Sequence, residues 1–384
     1  MKRSIVKLLA VCLSLLVFAA MLAACSGNGG SQGGGQQGGG ESQETTPEGS
    51  EQGGEEGGSV YDGPEIEIVI AYSNAEEYNK PILDACAEVT EKTGGKVTFV
   101  HHFNGSLVSI MEMAQAVTDG TIDMVDLPVM NFAQFVYTNR IPTVPFLGIN
   151  GEAAALEYYT AMFEKFPQMQ EELEKNNMHY IGIGSYIMET QIMLNIDGEF
   201  KTPESYKGLQ LVSDGSTAMD EVWKSVGAAP VFQPPSEYFS ALNSGNCDGM
   251  CNAVGAGVSF GVLPEACKQI VKFCEGGLSA KAKYIVFNND RWNSLTPELQ
   301  QIITEAFTSD TFKQAEIAQA KANNENAYAI AANGNVELVE LTPEEYEQWR
   351  AIAEPVVRKY IESLEAEGYA GAVEMYEYAL DITK

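Results

Sequence analysis

The stretch that most constrains this chain runs from Lys207 to Asn252. It reads Lys-Gly-Leu-Gln-Leu-Val-Ser, a helical segment, Gly-Ala-Ala-Pro-Val-Phe, and then Ser-Glu-Tyr-Phe-Ser-Ala-Leu-Asn-Ser-Gly-Asn-Cys-Asp-Gly-Met-Cys-Asn. Short apolar runs alternate with helical segments and glycines stand at the breaks, which predicts strand, helix, strand, helix, strand. In an α/β unit of this kind the strand ends and the loops after them face a ligand. The closing Asp248-Gly249-Met250-Cys251-Asn252 delivers a polar side chain at the end of a buried strand.

A comparable unit precedes it. Residues 65–72 alternate and then turn apolar, as a first strand that becomes buried does, with Ser73-Asn74 as its exit loop. Tyr78, Ile82, Leu83, Cys86 and Val89 share one face of a helix that stops at Gly94-Gly95. A second strand spans 96–102, an amphipathic segment 110–117, and a third short strand 121–126. Residues 179–186 begin another strand, whose continuation at 191–196 crosses into the second lobe, and 284–288 form a strand that returns to the first. Thr296-Pro297-Glu298 cap a long helical stretch that runs with little interruption to Asn333-Gly334. Thr342-Pro343-Glu344-Glu345 is a capping box with proline at the first helical position. The roughly 320 residues from Pro64 to the end exceed one comfortable hydrophobic core, so two lobes are expected. The expected division is 64–187 plus about 278–317 for lobe I, and 188–277 plus about 318–384 for lobe II.

The ends of the chain place it outside the cytoplasm. Lys2, Arg3 and Lys7 precede an apolar run at 8–22, too short for a comfortable membrane span. The run closes on Leu22-Ala23-Ala24-Cys25, which looks like a bacterial lipobox, so residues 1–24 read as a signal peptide and Cys25 as the acylated mature N-terminus. Residues 25–63 are dominated by Gly, Gln, Ser and Glu; they cannot bury enough surface to offset their ordering entropy and read as a disordered leash. Such a coil has an end-to-end distance of about 30 to 35 Å. The domain is then membrane-associated only through its lipid.

Composition excludes several functions. A formal net charge of −30 argues against nucleic acid and anionic lipid heads as partners. Beyond Cys12 and Cys25 five cysteines remain (Cys86, Cys247, Cys251, Cys267, Cys274), an odd number in a large domain that suits buried thiols better than a disulfide scaffold. Cys247-x-x-x-Cys251 lacks a second ligand pair at zinc spacing, and His101-His102 point to opposite faces of a strand, so no metal is expected. Only three histidines occur, with no Gly-x-Ser-x-Gly, P-loop or dinucleotide fingerprint. No enzyme and no cofactor is expected; a surface hydrolase working through paired carboxylates has no local signature.

Four places resemble the solute receptors of TRAP (tripartite ATP-independent periplasmic) transporters, dicarboxylate-receptor-like, over about 66–341. Asn104-Gly105-Ser106-Leu107 through Gly120-Thr-Ile-Asp123-Met124 looks like the family's Gly-x-Leu turn, helix and Gly-x-x-Asp strand. Pro142 to Leu147 resembles its Pro-Phe-Leu loop, and Ser236-Glu237-Tyr238-Phe239-Ser240-Ala241-Leu242 its Ser-Glu-Val-Tyr-x-Ala-Leu. Asp248-Gly249 and Asn252 fit its Asp-Gly-x-x-Asn. The resemblance implies a periplasmic-binding-protein-like, type II-like fold of two α/β lobes with hinge strands and a long interlobe helix. It also implies a monomer that closes on a small solute and hands it to membrane permease subunits. A receptor for an ABC importer and a tethered sensory module share the two-lobe logic.

The resemblance also carries a departure. Members place an arginine in the Gly-Leu-Lys-Ile-Arg strand to take a ligand carboxylate, and Val212 stands there in this chain. A second family arginine falls near Met188-Glu189, and Arg140, Arg291, Arg350 and Arg358 are the arginines beyond the signal. A guanidinium fork suits a planar carboxylate, so its absence shifts the expected ligand from a simple dicarboxylate toward a neutral, amphipathic or cationic solute. Expected site residues are Asn252, Val212 and Asn74 at strand ends, and Tyr72, Tyr186, Phe232 and Phe239 to stack on a ring. Glu189 and Asp126 are expected to meet an amine or hydroxyls.

Overall fold

The computed structural model describes residues 61–132, 138–184, 188–213 and 215–384. The proposed signal, Cys25, most of the leash and Tyr186 lie outside them. The described residues form one compact unit built on two sheets.

Strands β1 (Ile66–Tyr72), β2 (Val97–His102) and β3 (Met124–Pro128) run parallel, with β1 in the middle. Strand β4 (Met178–Ile183) belongs to the same sheet, and the chain then crosses into the second sheet as β5 (Met188–Leu194). There β6 (Gln210–Ser213), β7 (Ala229–Phe232) and β8 (Gly249–Ala253) are again parallel, and β8 pairs antiparallel with β5. Strand β9 (Gln269–Lys272) pairs with β5, after which β10 (Ala280–Lys281) accompanies β5 back and β11 (Lys283–Asn288) inserts between β3 and β4. Strand β12 (Glu337–Glu340) adds to the edge at β9. The first sheet has the order β2-β1-β3-β11-β4, and the main path of the second is β12-β9-β5-β8-β6-β7. Two α/β sheets joined by crossing strands confirm the expected fold class.

Strand alternation sorts the core. On β11, Tyr284 and Val286 enter one apolar cluster while Ile285 and Phe287 enter another with Ile82, Val89, Leu299 and Ile303. The same period of two puts Ile192 and Leu194 of β5 on one face of the second sheet and Met193 on the other. Fully burying side chains of this size contributes about 1.5 to 3 kcal/mol each, so a one-residue register slip in β11 would turn out a whole face.

A third connection is the helix Asp310–Asn333, which packs on helix Lys80–Lys92 of the first sheet and on Val254–Ser259 of the second. The long helical stretch read from sequence is interrupted: helix Pro297–Thr308 stops and Ser309 caps the next helix by accepting from Phe312 N at 3.1 Å. Thr342 and Glu345 form the expected capping box on helix Pro343–Ala366. The last helix, Ala372–Ile382, packs against the turn Thr138–Thr143 and helix Glu152–Lys165. Cys86, Cys247, Cys251 and Cys267 are buried and Cys274 half-buried, all five outside any disulfide. No helix among the described residues is long and apolar enough to cross a membrane.

Candidate ligand-binding cleft

The carboxyl ends of the parallel strands in both sheets open on one cavity of about 670 Å³. From the first sheet, Ser73 and Asn74 follow β1, Asn104 follows β2, and Pro128, Met130 and Asn131 lie at the end of β3. From the second, Gly215 follows β6, Phe232 and Gln233 end β7, and Asn252 sits near the end of β8. Tyr238, Ala256 and Phe260 complete that wall. Because β11 runs antiparallel to β3, its first residue rather than its last arrives at the cavity, and that residue is Lys283.

Lys283 shares the face of Ile285, which lies opposite Asp126 in the register, so the lysine and the aspartate are diagonal neighbours. Lys283 Nζ is 2.8 Å from Asp126 Oδ2 and donates to Asn74 Oδ1 at 2.6 Å. Asp126 is fully buried and the Lys283 side chain is 3% exposed. Burial pushes the Asp126 carboxyl upward while the ammonium pulls it down. Removing one partner of such a pair costs about 3 to 5 kcal/mol because it leaves an uncompensated buried charge.

Asn252 accepts from Ala253 N through Oδ1 at 2.8 Å, so its NH₂ is the part of the amide left for a ligand. Asn74, with Oδ1 engaged by Lys283, presents its NH₂ in the same sense. Phe232 is 59% exposed at the cavity rim and offers an open ring face.

The structure brings Asn74, Phe232 and Asn252 together and places the other expected residues elsewhere. Val212 is buried with Met193, Leu242 and Met250 in the core of the second sheet; Tyr238, from the same cluster, forms the cavity wall. Tyr72 is fully buried, bonded to His101 Nδ1 at 2.9 Å and stacked on Phe103, because alternation along β1 turns it to the helix-covered face. Phe239 neighbours Tyr238 on one helix, and the roughly 100° step between consecutive helical positions turns it away. Asp126 stands behind Lys283 and is committed to it. Glu189 lies at the crossing, where it accepts from Gln191 Nε2 at 2.8 Å and Tyr328 OH at 2.6 Å. Tyr186 lies outside the described residues.

Sequence reasoning missed Lys283, Asn104, Asn131, Gln233 and Tyr238. The sequence signal for Lys283 is a lysine opening an otherwise apolar strand, Lys283-Tyr-Ile-Val-Phe.

Two α/β sheets joined by crossing strands, with a cavity between the carboxyl ends of their parallel strands, form the architecture of a solute-binding protein. Residues 72–363 match the model of the DctP family, described as bacterial extracellular solute-binding protein, family 7, and the chain belongs to that family. It is thus a receptor of the TRAP transport type. It is 23% identical over 319 residues to the C4-dicarboxylate-binding protein DctB of Bacillus subtilis, covering 78% of this chain and 85% of that one. It is 22% identical over 304 residues to the ectoine-binding periplasmic protein TeaA of Halomonas elongata, covering 76% and 85%. Among solved structures, a TRAP periplasmic solute-binding protein from Desulfovibrio salexigens with bound orotic acid superposes with a TM-score of 0.72 at 20% identity, covering 83% of this chain and 99% of that one. One from Shewanella oneidensis with bound succinate gives 0.70 at 21%, covering 84% and 100%.

Proposed function

We propose that this receptor captures a small, partly apolar organic solute between its lobes, releases it unchanged to membrane permease subunits, and is held at the membrane by a lipid on Cys25. The observation that carries the solute class is the cavity wall: amides (Asn74, Asn104, Asn131, Gln233, Asn252), apolar and aromatic side chains, and the single ammonium of Lys283 among the described lining residues. Glu189 and Asp126, the acids once expected to meet an amine, are both engaged elsewhere, which argues against a cationic solute. Structural relatives hold small acids such as orotate and succinate, which fits a neutral or anionic guest. The Leu-Ala-Ala-Cys ending of the signal supports the anchor.

Closure is a population shift that a ligand drives only by binding the closed form better. The supporting features are the crossing strands β5 and β10 with the Asp310–Asn333 helix, few enough connections to bend. The test is thermal shift of the purified full chain against neutral, anionic and cationic solutes. A guest at a hundred times its dissociation constant stabilises by about 2.7 kcal/mol. A shift with cationic amines alone contradicts the solute class, and turnover of any guest contradicts the receptor.

A further inference from the structure

We infer that Asn74 and Asn252, one from each sheet, clamp an uncharged carbonyl group, so that the guest is a neutral, partly apolar amide, lactam or cyclic imide rather than an acid. This deepens the reading of the cavity as the solute site and rests on it. Chemistry fixes the orientation of both side-chain amides. A lysine ammonium only donates, so the Asn74 atom 2.6 Å from Lys283 Nζ is its carbonyl oxygen. A backbone N–H only donates, so the Asn252 atom 2.8 Å from Ala253 N is likewise the oxygen. Each residue therefore keeps its NH₂, a donor, for the cavity that both line. A neutral carbonyl oxygen has two lone pairs and can take one N–H from each side of the cleft.

Charge decides between a carbonyl and a carboxylate. Lys283 is the one charged side chain at the wall among the described residues, and it is already committed, 2.8 Å from Asp126 Oδ2 and bonded to Asn74. The described wall is thus electrically balanced before any guest arrives. A carboxylate entering it gives up its hydration for amide donors alone, with no counter-ion, which is strongly disfavoured, and an ammonium guest meets no acid. An uncharged carbonyl loses far less on leaving water and is satisfied by the same N–H groups. The remainder of the guest is apolar. Met111, in the loop after β2, and Phe232, ending β7, are 48% and 59% exposed, two of the few large apolar side chains that the described residues leave open to solvent. A ring or short branched chain between them covers both. Gln233 beside Phe232, with Asn104 and Asn131 from the first sheet, can donate or accept, which suits the N–H that accompanies the carbonyl of an amide or imide.

The experiment titrates the full chain by calorimetry near neutral pH with matched probes that share a skeleton and differ in charge. One set is phenylacetamide, phenylacetate and phenethylamine. The other is orotate and 6-methyluracil, which has a methyl group where orotate has its carboxylate. The neutral member of each set is expected to bind about tenfold or more tighter than its charged partners. Gln233→Arg adds a guanidinium to the wall and leaves Asn74 and Asn252 in place. It should raise the affinity of each acid relative to its neutral partner by about tenfold or more. Asn252→Leu, close in size, should weaken the neutral members by about 10- to 100-fold; if it does not fold, Gln233→Arg still decides. An acid or amine that binds tighter than its neutral partner in the wild type overturns the inference, and so does an acid-to-neutral ratio unmoved by Gln233→Arg. Those outcomes leave the receptor standing; absence of binding by every member of both sets removes both readings.

Discussion

Tyr328 donates its hydroxyl to Glu189 Oε1 at 2.6 Å, tying the long helix to the first crossing strand. Glu189 is 7% exposed, and burial pushes its carboxyl upward while the hydrogen bonds from Tyr328 and Gln191 pull it back. A hydrogen bond to a charged group contributes about 1.5 to 3 kcal/mol. Tyr328→Phe should therefore lower the unfolding free energy by roughly that amount, measured by urea denaturation with an unchanged m-value. A change within error would mean that the link does not hold the hinge.

Glu316 sits on the same helix, 2% exposed, with neither carboxylate oxygen hydrogen-bonded among the described residues. Burial raises its carboxyl well above the ordinary 4.5, and nearby Asp126 adds to the rise. With the folded value above the unfolded one, the folded state holds the extra proton between the two. Stability is fully present below the unfolded value and declines as pH rises toward the folded one, by up to about 1.4 kcal/mol per pH unit for this group. Glu316→Gln removes that slope, so the variant should gain on the wild type between about pH 5 and 8. Unfolding free energies of both proteins across that window check it; parallel curves would refute it.

Asn252→Asp tests the donor on the lobe II wall. The aspartate can still accept from Ala253 N, so the fold should persist with little change in Tm. Replacing an NH₂ donor by a carboxylate should weaken an acceptor guest by about 10- to 100-fold. Unchanged affinity in a titration would place the guest elsewhere in the cavity.

Gly277 adopts φ +73°, and a Cβ there would lie 2.5 Å from both Thr190 N and Thr190 O on the first crossing strand. Gly277→Ala should cost about 1 to 3 kcal/mol through left-handed strain alone, with the clash adding to it. Thermal unfolding of the variant checks this, and a wild-type Tm would show that the two crossings do not pack so closely.

The architecture was legible because it is written locally. The 207–252 segment carries its own strand and helix periods, and Thr342-Pro343-Glu344-Glu345 contains every atom of its capping box. Asn252 was legible for the same reason, as the end of a buried strand. What escaped depends on contacts distant in sequence. Nothing near Asp126 announces that Lys283, 157 positions away, will take its carboxylate. Glu189 reads like a strand-end acid until Tyr328, 139 positions on, claims it. Tyr72 is turned to the helix-covered face by alternation within β1, whereas Asn74 lies two residues on, past the strand's end, where the loop and not the alternation sets its direction. Strands β9 and β12 were missed because Gln-Ile-Val-Lys and Glu-Leu-Val-Glu are too short to show a period.

The central claim, that two hinged lobes close on a guest they do not alter, is tested most directly by small-angle X-ray scattering of the full chain with and without a bound solute recovered afterwards. Closure predicts a smaller radius of gyration in the complex and quantitative recovery of the intact solute. An identical scattering profile at saturating solute, or a solute returned as product, would contradict it.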